Sequence, residues 1–412
     1  MNSAATRGQP RALAEVESMI LGGAPHALLI VGPGSIGKTT LALDLAAGLL
    51  CRDADPGARP CRVCLGCRLV ASGNHPDVHR LAPEGPGREI RIGDSSHPDP
   101  GTVRHLIGEL ALLPAEGGAR VAIVEQAHRL NEEAQNALLK MLEEPPAGVT
   151  IVLCADDEER LLPTVRSRCV RVLMSAVGGR EIERWLGELG FADAPRAARL
   201  ARLADGRPGL ALAFARSPDA ERLRGEIARG ILDMLGEGRQ ARLATVRELM
   251  KSAVALDAAL AESRRDPTET DQGAATGKVR SRKGKATRAA DTEVTDDATL
   301  DEAAIPKLAP AARRSAAATV VGIWSSIARD LAVVGAGGTR HLRELELVDD
   351  LRGVAPAVSA AALAVFLARL TAVSLQLDEN VNPELALDVL ALTWLRLEPA
   401  AAVAASPAGG RR

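Results

Sequence analysis

The chain has 412 residues, 46% apolar and 25% charged, which is material for two or three domains with sizeable cores. Its formal net charge of -2 excludes a global basic field that would draw the whole molecule to DNA or to an anionic membrane. Aromatic residues make up 1%, with no Tyr, so the cores must be built from Leu, Val, Ile and Ala, and single-strand recognition by ring stacking is disfavoured.

Residues 1–12 are polar and do not read as a secretory leader. The run Ala27–Val31 reads as a short buried strand ending at Gly32, and Leu41, Leu45 and Leu49 place a helix over Thr39–Leu50. Val103, Leu106, Ile107 and Leu110 share one helical face. Val121–Val124 is a second strand. Asn131 caps a helix that Pro145-Pro146 stops after Glu144, and Val149–Cys154 and Val170–Met174 are two more strands. Strands alternating with helices predict a parallel sheet covered on both faces.

After Met174 the pattern is all helical. Ile182, Trp185, Leu186 and Leu189 form one face before Gly190; further helices span Pro195–Leu203, follow Pro208, and run from Leu223 to Leu260 with a break near Gly236. Residues 261–299 carry only Val279 and Val294 as branched apolar residues, with a basic block (Lys278 to Arg288) and then an acidic one (Asp291 to Asp297). Such a segment cannot bury a core and is expected to be a disordered insert: a solvated linker, with a nucleic-acid-binding arm as the sharper alternative. Helical patterning resumes near Ala303 and continues to about Leu397, with Asn382-Pro383 as the start of the last helix and a flexible tail after it. The longest uncharged apolar stretch, Gly353–Ala368, contains Pro356 and falls short of the ~18 residues of a membrane span. A cytoplasmic protein with reduced thiols and no membrane partner is the expectation.

Gly32-Pro33-Gly34-Ser35-Ile36-Gly37-Lys38-Thr39 fits G-x4-G-K-[ST] between a strand and a helix. The glycines let backbone N–H groups wrap a phosphate, Lys38 would reach the terminal phosphates, and Thr39, followed by Thr40, would hold magnesium. ATP or ADP with Mg2+ is the implied ligand. The same glycines match a dinucleotide fingerprint with Asp53 about 20 residues on, but Lys38-Thr39 has no task there and Asp53 does not end an apolar strand. Hydrolytic P-loop proteins usually add an acidic pair after a second strand. Here Glu125-Gln126 follows Val124; Glu125 can support a metal through water, whereas Gln126 cannot serve as a carboxylate base. The pattern describes a nucleotide pocket with a weakened engine.

Cys51, Cys61, Cys64 and Cys67 are spaced x9, x2, x2, which suits a closed tetrahedral Zn2+ site of structural type. An iron–sulfur centre is the lesser alternative, because no further Cys follows soon after Cys67. Cys154 and Cys169 read as packed thiols, and His75 as a turn residue.

These segments together resemble the bacterial DNA polymerase III clamp-loader family of the AAA+ class. The resemblance rests on the phosphate loop, the four cysteines, His75-Pro76-Asp77-Val78, Leu138-Leu139-Lys140-Met141-Leu142-Glu143-Glu144-Pro145, Ser167-Arg168-Cys169 and Asn380-Val381-Asn382-Pro383. It is dense over residues 20–175 and sparse after 215. It implies an α/β P-loop module at 1–175 with a zinc knuckle at 51–67, a small helical lid at 176–217, an all-α collar at 218–402 holding the insert, and a tail at 403–412. It also implies that Arg168 acts in trans as an arginine finger on a neighbouring subunit's ATP. The implied partners are gamma/tau and delta subunits and, through the assembly, the sliding clamp and primer–template DNA.

Three departures favour the delta-prime branch over the ATPase branch: Glu125-Gln126 in place of Asp-Glu, Asp156-Asp157 where a threonine sensor is expected, and Gly209 where a second-sensor arginine is expected, with Arg207 two positions off. The alternatives are an active gamma/tau-type ATPase or an unrelated P-loop enzyme such as a small-molecule kinase, for which no acceptor motif is evident.

Overall fold

Side-chain alternation along five strands decides the first layer of the structure, a computed structural model describing residues 4–83, 89–115, 118–264, 309–339, 341–378 and 381–395. The strands are β1 (Ala27–Val31), β2 (Val78–Leu81), β3 (Arg120–Val124), β4 (Val149–Ala155) and β5 (Val170–Leu173). They pair in the order β2-β3-β4-β1-β5, every pair parallel. Leu28, Ile30, Val121, Ile123, Val152 and Val172 face one side, under α1 (Pro10–Gly22), α2 (Lys38–Leu49) and α3 (Leu65–Ala71). Ala27, Leu29, Ala122, Val124, Ile151 and Leu153 face the other, in one core with residues of α4 (Val103–Leu110), α5 (Glu132–Glu143) and α6 (Pro163–Arg166). A parallel sheet buried on both faces accounts for the near-continuous apolar runs of its central strands.

The register matters for function. Val31 lies beside Ala155, so the residues that follow, Gly32 and Asp156, leave the same edge of the sheet. Glu125 follows β3 at that edge. Ligands of open parallel sheets bind beyond the carboxyl ends of the strands, and this is that edge.

The remainder is helical: α7 (Gly179–Glu188), α8 (Ala194–Leu203), α9 (Pro208–Arg216), α10 (Pro218–Asp233), α11 (Arg239–Ser263), α12 (Pro310–Gly335), α13 (Val348–Val354), α14 (Ala360–Asp378) and α15 (Pro383–Thr393). One continuous core joins them, from Val177 to Leu395. Three of the chain's six Phe and Trp residues meet in it: Trp324, Phe366 and Trp394, with ring centroids 4.6 to 5.7 Å apart. Trp394 donates its indole N–H to the Ile231 carbonyl at 3.1 Å. Buried Arg242 donates to the carbonyls of Ala391, Trp394 and Leu395, which satisfies orphan acceptors at the end of α15. Asn382 caps that helix through the N–H groups of Glu384 and Leu385, with Pro383 in its first turn, as the dipeptide predicts.

Several expectations change. Helix α11 runs through Ser263, so the insert expected from Ala261 begins inside a helix; its remainder, with both charge blocks, lies outside the described residues, as do the resumption near Ala303 and the tail at 403–412. Helices α1 and α3 and strand β2 were not expected. β2 has only four residues and carries His79 and Arg80, which hide a strand pattern. Two helical segments, Pro310–Gly335 and Ala360–Leu377, are long and apolar enough by length and hydropathy alone to cross a membrane, although no span was expected from the sequence. Helix α12 packs against α10, α11, α14 and α15, which makes it a core helix. Helix α14 lays Leu363, Phe366, Leu370, Val373 and Leu377 on the core and leaves Val365 and Leu375 exposed.

Candidate nucleotide cradle, cysteine knuckle and surface arginine

The phosphate loop leaves β1 at Gly32 and enters α2 at Lys38, with Gly37 in the left-handed region at φ 104. That backbone requires glycine, because a side chain there is strained. Gly34, Ser35, Gly37, Lys38, Thr39 and Thr40 line a cleft of about 490 Å³ together with Glu125, Gln126, Asp156, Gly209 and Arg264. The sequence-predicted cradle residues are therefore brought together, apart from Gly32, which follows β1 and does not line the cleft.

Lys38 does not face an empty cleft. Its side chain is 7% exposed, and its ammonium donates to the carbonyls of Gly32 and Pro33, each at 2.7 Å, and contacts Asp156 Oδ1 at 2.6 Å. An ammonium has three N–H donors, and three oxygens of this chain engage them. The Asp156 N–H donates to His128 Nδ1 at 3.1 Å, which requires that ring nitrogen unprotonated. Burial holds the His128 pKa below its ordinary value against the opposing pull of Asp156.

Glu125 lines the cleft, but its Oε1 accepts from Arg80 Nε at 2.9 Å and Nη2 at 2.7 Å. The acid expected to support a metal is thus held by a guanidinium from the next strand. Gln126 has a left-handed φ of 49 and accepts from Arg129 Nε at 3.0 Å. On the opposite wall the helical region touches the loop directly. The Gly209 N–H donates to the Ser35 carbonyl at 3.0 Å. A Cβ at Gly209 would stand 2.9 Å from that carbonyl oxygen, so the position at which the family resemblance expects a sensor arginine cannot carry a side chain without moving the loop. Arg207 does not line the cleft; its Nε donates to the Ala204 carbonyl at 3.0 Å.

The four cysteines converge. The Sγ atoms of Cys51, Cys61, Cys64 and Cys67 lie within 4.8 Å of one another, with Cys51 and Cys64 3.9 Å apart. Tetrahedral zinc at ~2.3 Å from each sulfur places sulfurs about 3.8 Å apart, so the donor set fits one such ion. The N–H groups of Cys61, Cys64 and Cys67 each point at a cysteine sulfur at 3.4 Å, an arrangement that supports thiolates. Burial works against the Cys64 thiolate, but N–H donors and neighbouring thiols outweigh it and bring its pKa down to about 6. Burial pushes Cys67 up to about 12 when the site holds only protons. The knuckle is tied to the module by Arg62, which pairs with buried Asp44, and Asp44 also accepts from the N–H groups of Ala5 and Thr6. His75 is a buried turn residue whose Nδ1 accepts from the Asp77 N–H. Sequence reasoning missed the buried pair of Asp77 with Arg120 at 3.4 Å, which anchors the start of β3. Cys154 and Cys169 are packed thiols, raised by burial to about 12 and about 11.

Arg168 lies at the surface after α6, its side chain 35% exposed. It donates to the Thr164 carbonyl at 2.8 Å and pairs with Glu143 at 2.5 Å. Glu143, half-exposed, is the last residue of α5, so the two most specific motifs of the sequence meet in one contact. Exposed pairs of this kind contribute ~0–1 kcal/mol, little enough to be given up to a stronger anion.

Residues 8–177 match the family profile described as DNA polymerase III, delta subunit. The chain is 37% identical to the DNA polymerase III subunit delta' of Pseudomonas aeruginosa over 58% of its own length and 65% of that protein. It is 36% identical to the Escherichia coli subunit delta' over 48% of this chain and 57% of that one, and 35% identical to the Salmonella typhimurium subunit tau over 48% and 30%. The chain thus spans less than two thirds of the length of these relatives. Over residues 8–177, where the sheet, the cradle and the cysteine knuckle lie, the chain is thus similar to DNA polymerase III subunits of the delta' type.

Proposed function

We propose that this chain is a delta-prime-type subunit that completes a neighbouring subunit's ATP site with Arg168 while its own phosphate cradle stays idle. The observation that carries this reading is the contrast in how two cations are held: Lys38 is buried on three oxygens of its own chain, and Arg168 lies partly exposed on one carbonyl and one solvent-facing ion pair. A guanidinium is permanently charged and offers a fork that fits phosphate oxygens. Supplied in trans, it is worth roughly 10³–10⁵ in rate.

In this reading residues 1–175 are the AAA+ module, 176–217 the lid and 218–402 the collar, which assembles with gamma/tau and delta subunits in the cytoplasm. The assembly uses ATP to place the sliding clamp on primer–template DNA, and this chain is no polymerase and no membrane protein. Cys51, Cys61, Cys64 and Cys67 hold a structural Zn2+ that fixes the knuckle. Lys38, Thr39 and Thr40 are the residues that would meet ATP or ADP with Mg2+. The test is reconstitution with gamma/tau and delta subunits. The account expects Arg168→Ala to assemble normally and turn over ATP poorly; normal turnover by that assembly would remove the role in trans. Metal analysis should find about one zinc per chain, lost together with thermal stability in Cys64→Ser/Cys67→Ser.

A further inference from the structure

We propose that Asp156 is an intramolecular competitor for the phosphate cradle, and that its carboxylate is the group that keeps nucleoside triphosphate off Lys38. The inference rests on the idle cradle proposed above and names the residue responsible for it. The pairing of Val31 with Ala155 delivers Asp156 to the mouth of the loop whenever the sheet is formed. Its Oδ1 stands 2.6 Å from the Lys38 ammonium, and its Oδ2 lies 3.0 Å from the point where a Cβ on Gly34 would sit. The carboxylate therefore rests on the glycine whose N–H a phosphate would be expected to use. The bond from the Asp156 N–H to His128 fixes the backbone that carries it, and the other wall is closed by the bond from Gly209 to Ser35. The Asp156 side chain is 40% exposed, so an incoming triphosphate meets a like charge before it meets Lys38. Contacts between charged groups are the stronger class of hydrogen bond, so one of them can decide occupancy.

Asp156→Asn keeps the shape and the backbone bond to His128 and removes the charge. Calorimetric titration of the full chain with MgATP and with adenosine separates the outcomes. The expected result is that Asp156→Asn and Asp156→Ser bind MgATP at least ~10-fold more tightly than wild type, equivalent to about 1.4 kcal/mol, with adenosine affinity unchanged. Asp157→Asn, which removes a neighbouring acid that bonds the Glu159 N–H, is expected to stay within about twofold. Equally weak MgATP binding by wild type and both Asp156 variants would overturn the competitor and leave the idle cradle standing. Tight MgATP binding by wild type would overturn the idle cradle itself. An equal gain for adenosine would assign the effect to loosened structure and refute the proposal. Unfolding temperatures without ligand identify a misfolded variant, in which case the other of the two Asp156 substitutions decides.

Discussion

Lys38 and Arg168 are both cations suited to phosphate, and the fold treats them in opposite ways. Lys38 opens α2 at the carboxyl edge of the sheet, where the neighbouring strand brings Asp156 within 2.6 Å. Arg168 follows a single helical turn at the surface, where its ionic partner Glu143 is itself half-exposed. Burial decides the difference. A buried ammonium must have its donors satisfied by the protein, so the chain supplies three oxygens and the cation is consumed. A guanidinium 35% exposed keeps part of its solvation, so its pair with Glu143 and its bond to the Thr164 carbonyl orient it without spending all five of its donors. A phosphate-binding motif and phosphate-binding capacity are thus separable, and the groups around the motif determine which of the two a structure has.

The largest expected effect lies on the exposed side of this comparison. Replacing Arg168 with Ala in a reconstituted assembly should lower ATP turnover by roughly 10³-fold or more, with Arg168→Lys recovering only part, because an ammonium lacks the fork. Steady-state turnover at saturating ATP checks both. Next comes Gly209→Arg, which tests whether the cradle can be repaired by restoring a sensor arginine. With Ser35 O only 2.9 Å from the required Cβ, the substitution should not confer ATPase activity on the isolated chain. It should instead destabilise the chain by about 1–3 kcal/mol, measurable by denaturant unfolding. Glu143→Ala is expected to fall below these. It frees Arg168 from its orienting partner and should cost assembled turnover a few-fold, roughly the ~1 kcal/mol of an exposed pair, with stability almost unchanged. The smallest effect should belong to Lys38→Ala, within about twofold in assembled turnover, since that cation makes no transition-state contact in this account.

The parts of this picture that were legible in the sequence are local. The glycines and Lys38, the cysteine spacing, the Asn131 and Asn382 caps and the central apolar strands all declare themselves within a few residues, because backbone conformation and ligand spacing are set at that range. The partners of the key cations are not local. Asp156 lies 118 positions after Lys38 (156 − 38), and Arg80 lies 45 before Glu125. Both pairs exist because β1 adjoins β4 and β2 adjoins β3, which only the strand order supplies. Asp156 was legible as an acid in a sensor position, and its salt bridge was not. β2 escaped notice because a four-residue strand bearing His79 and Arg80 has no apolar run, although it is the strand that disarms Glu125.

The measurement that bears most directly on the account is ATP turnover by one reconstituted assembly carrying this chain in turn as wild type, Lys38→Ala and Arg168→Ala. The account predicts near-normal turnover with Lys38→Ala and collapse with Arg168→Ala. Collapse with Lys38→Ala and near-normal turnover with Arg168→Ala would contradict it.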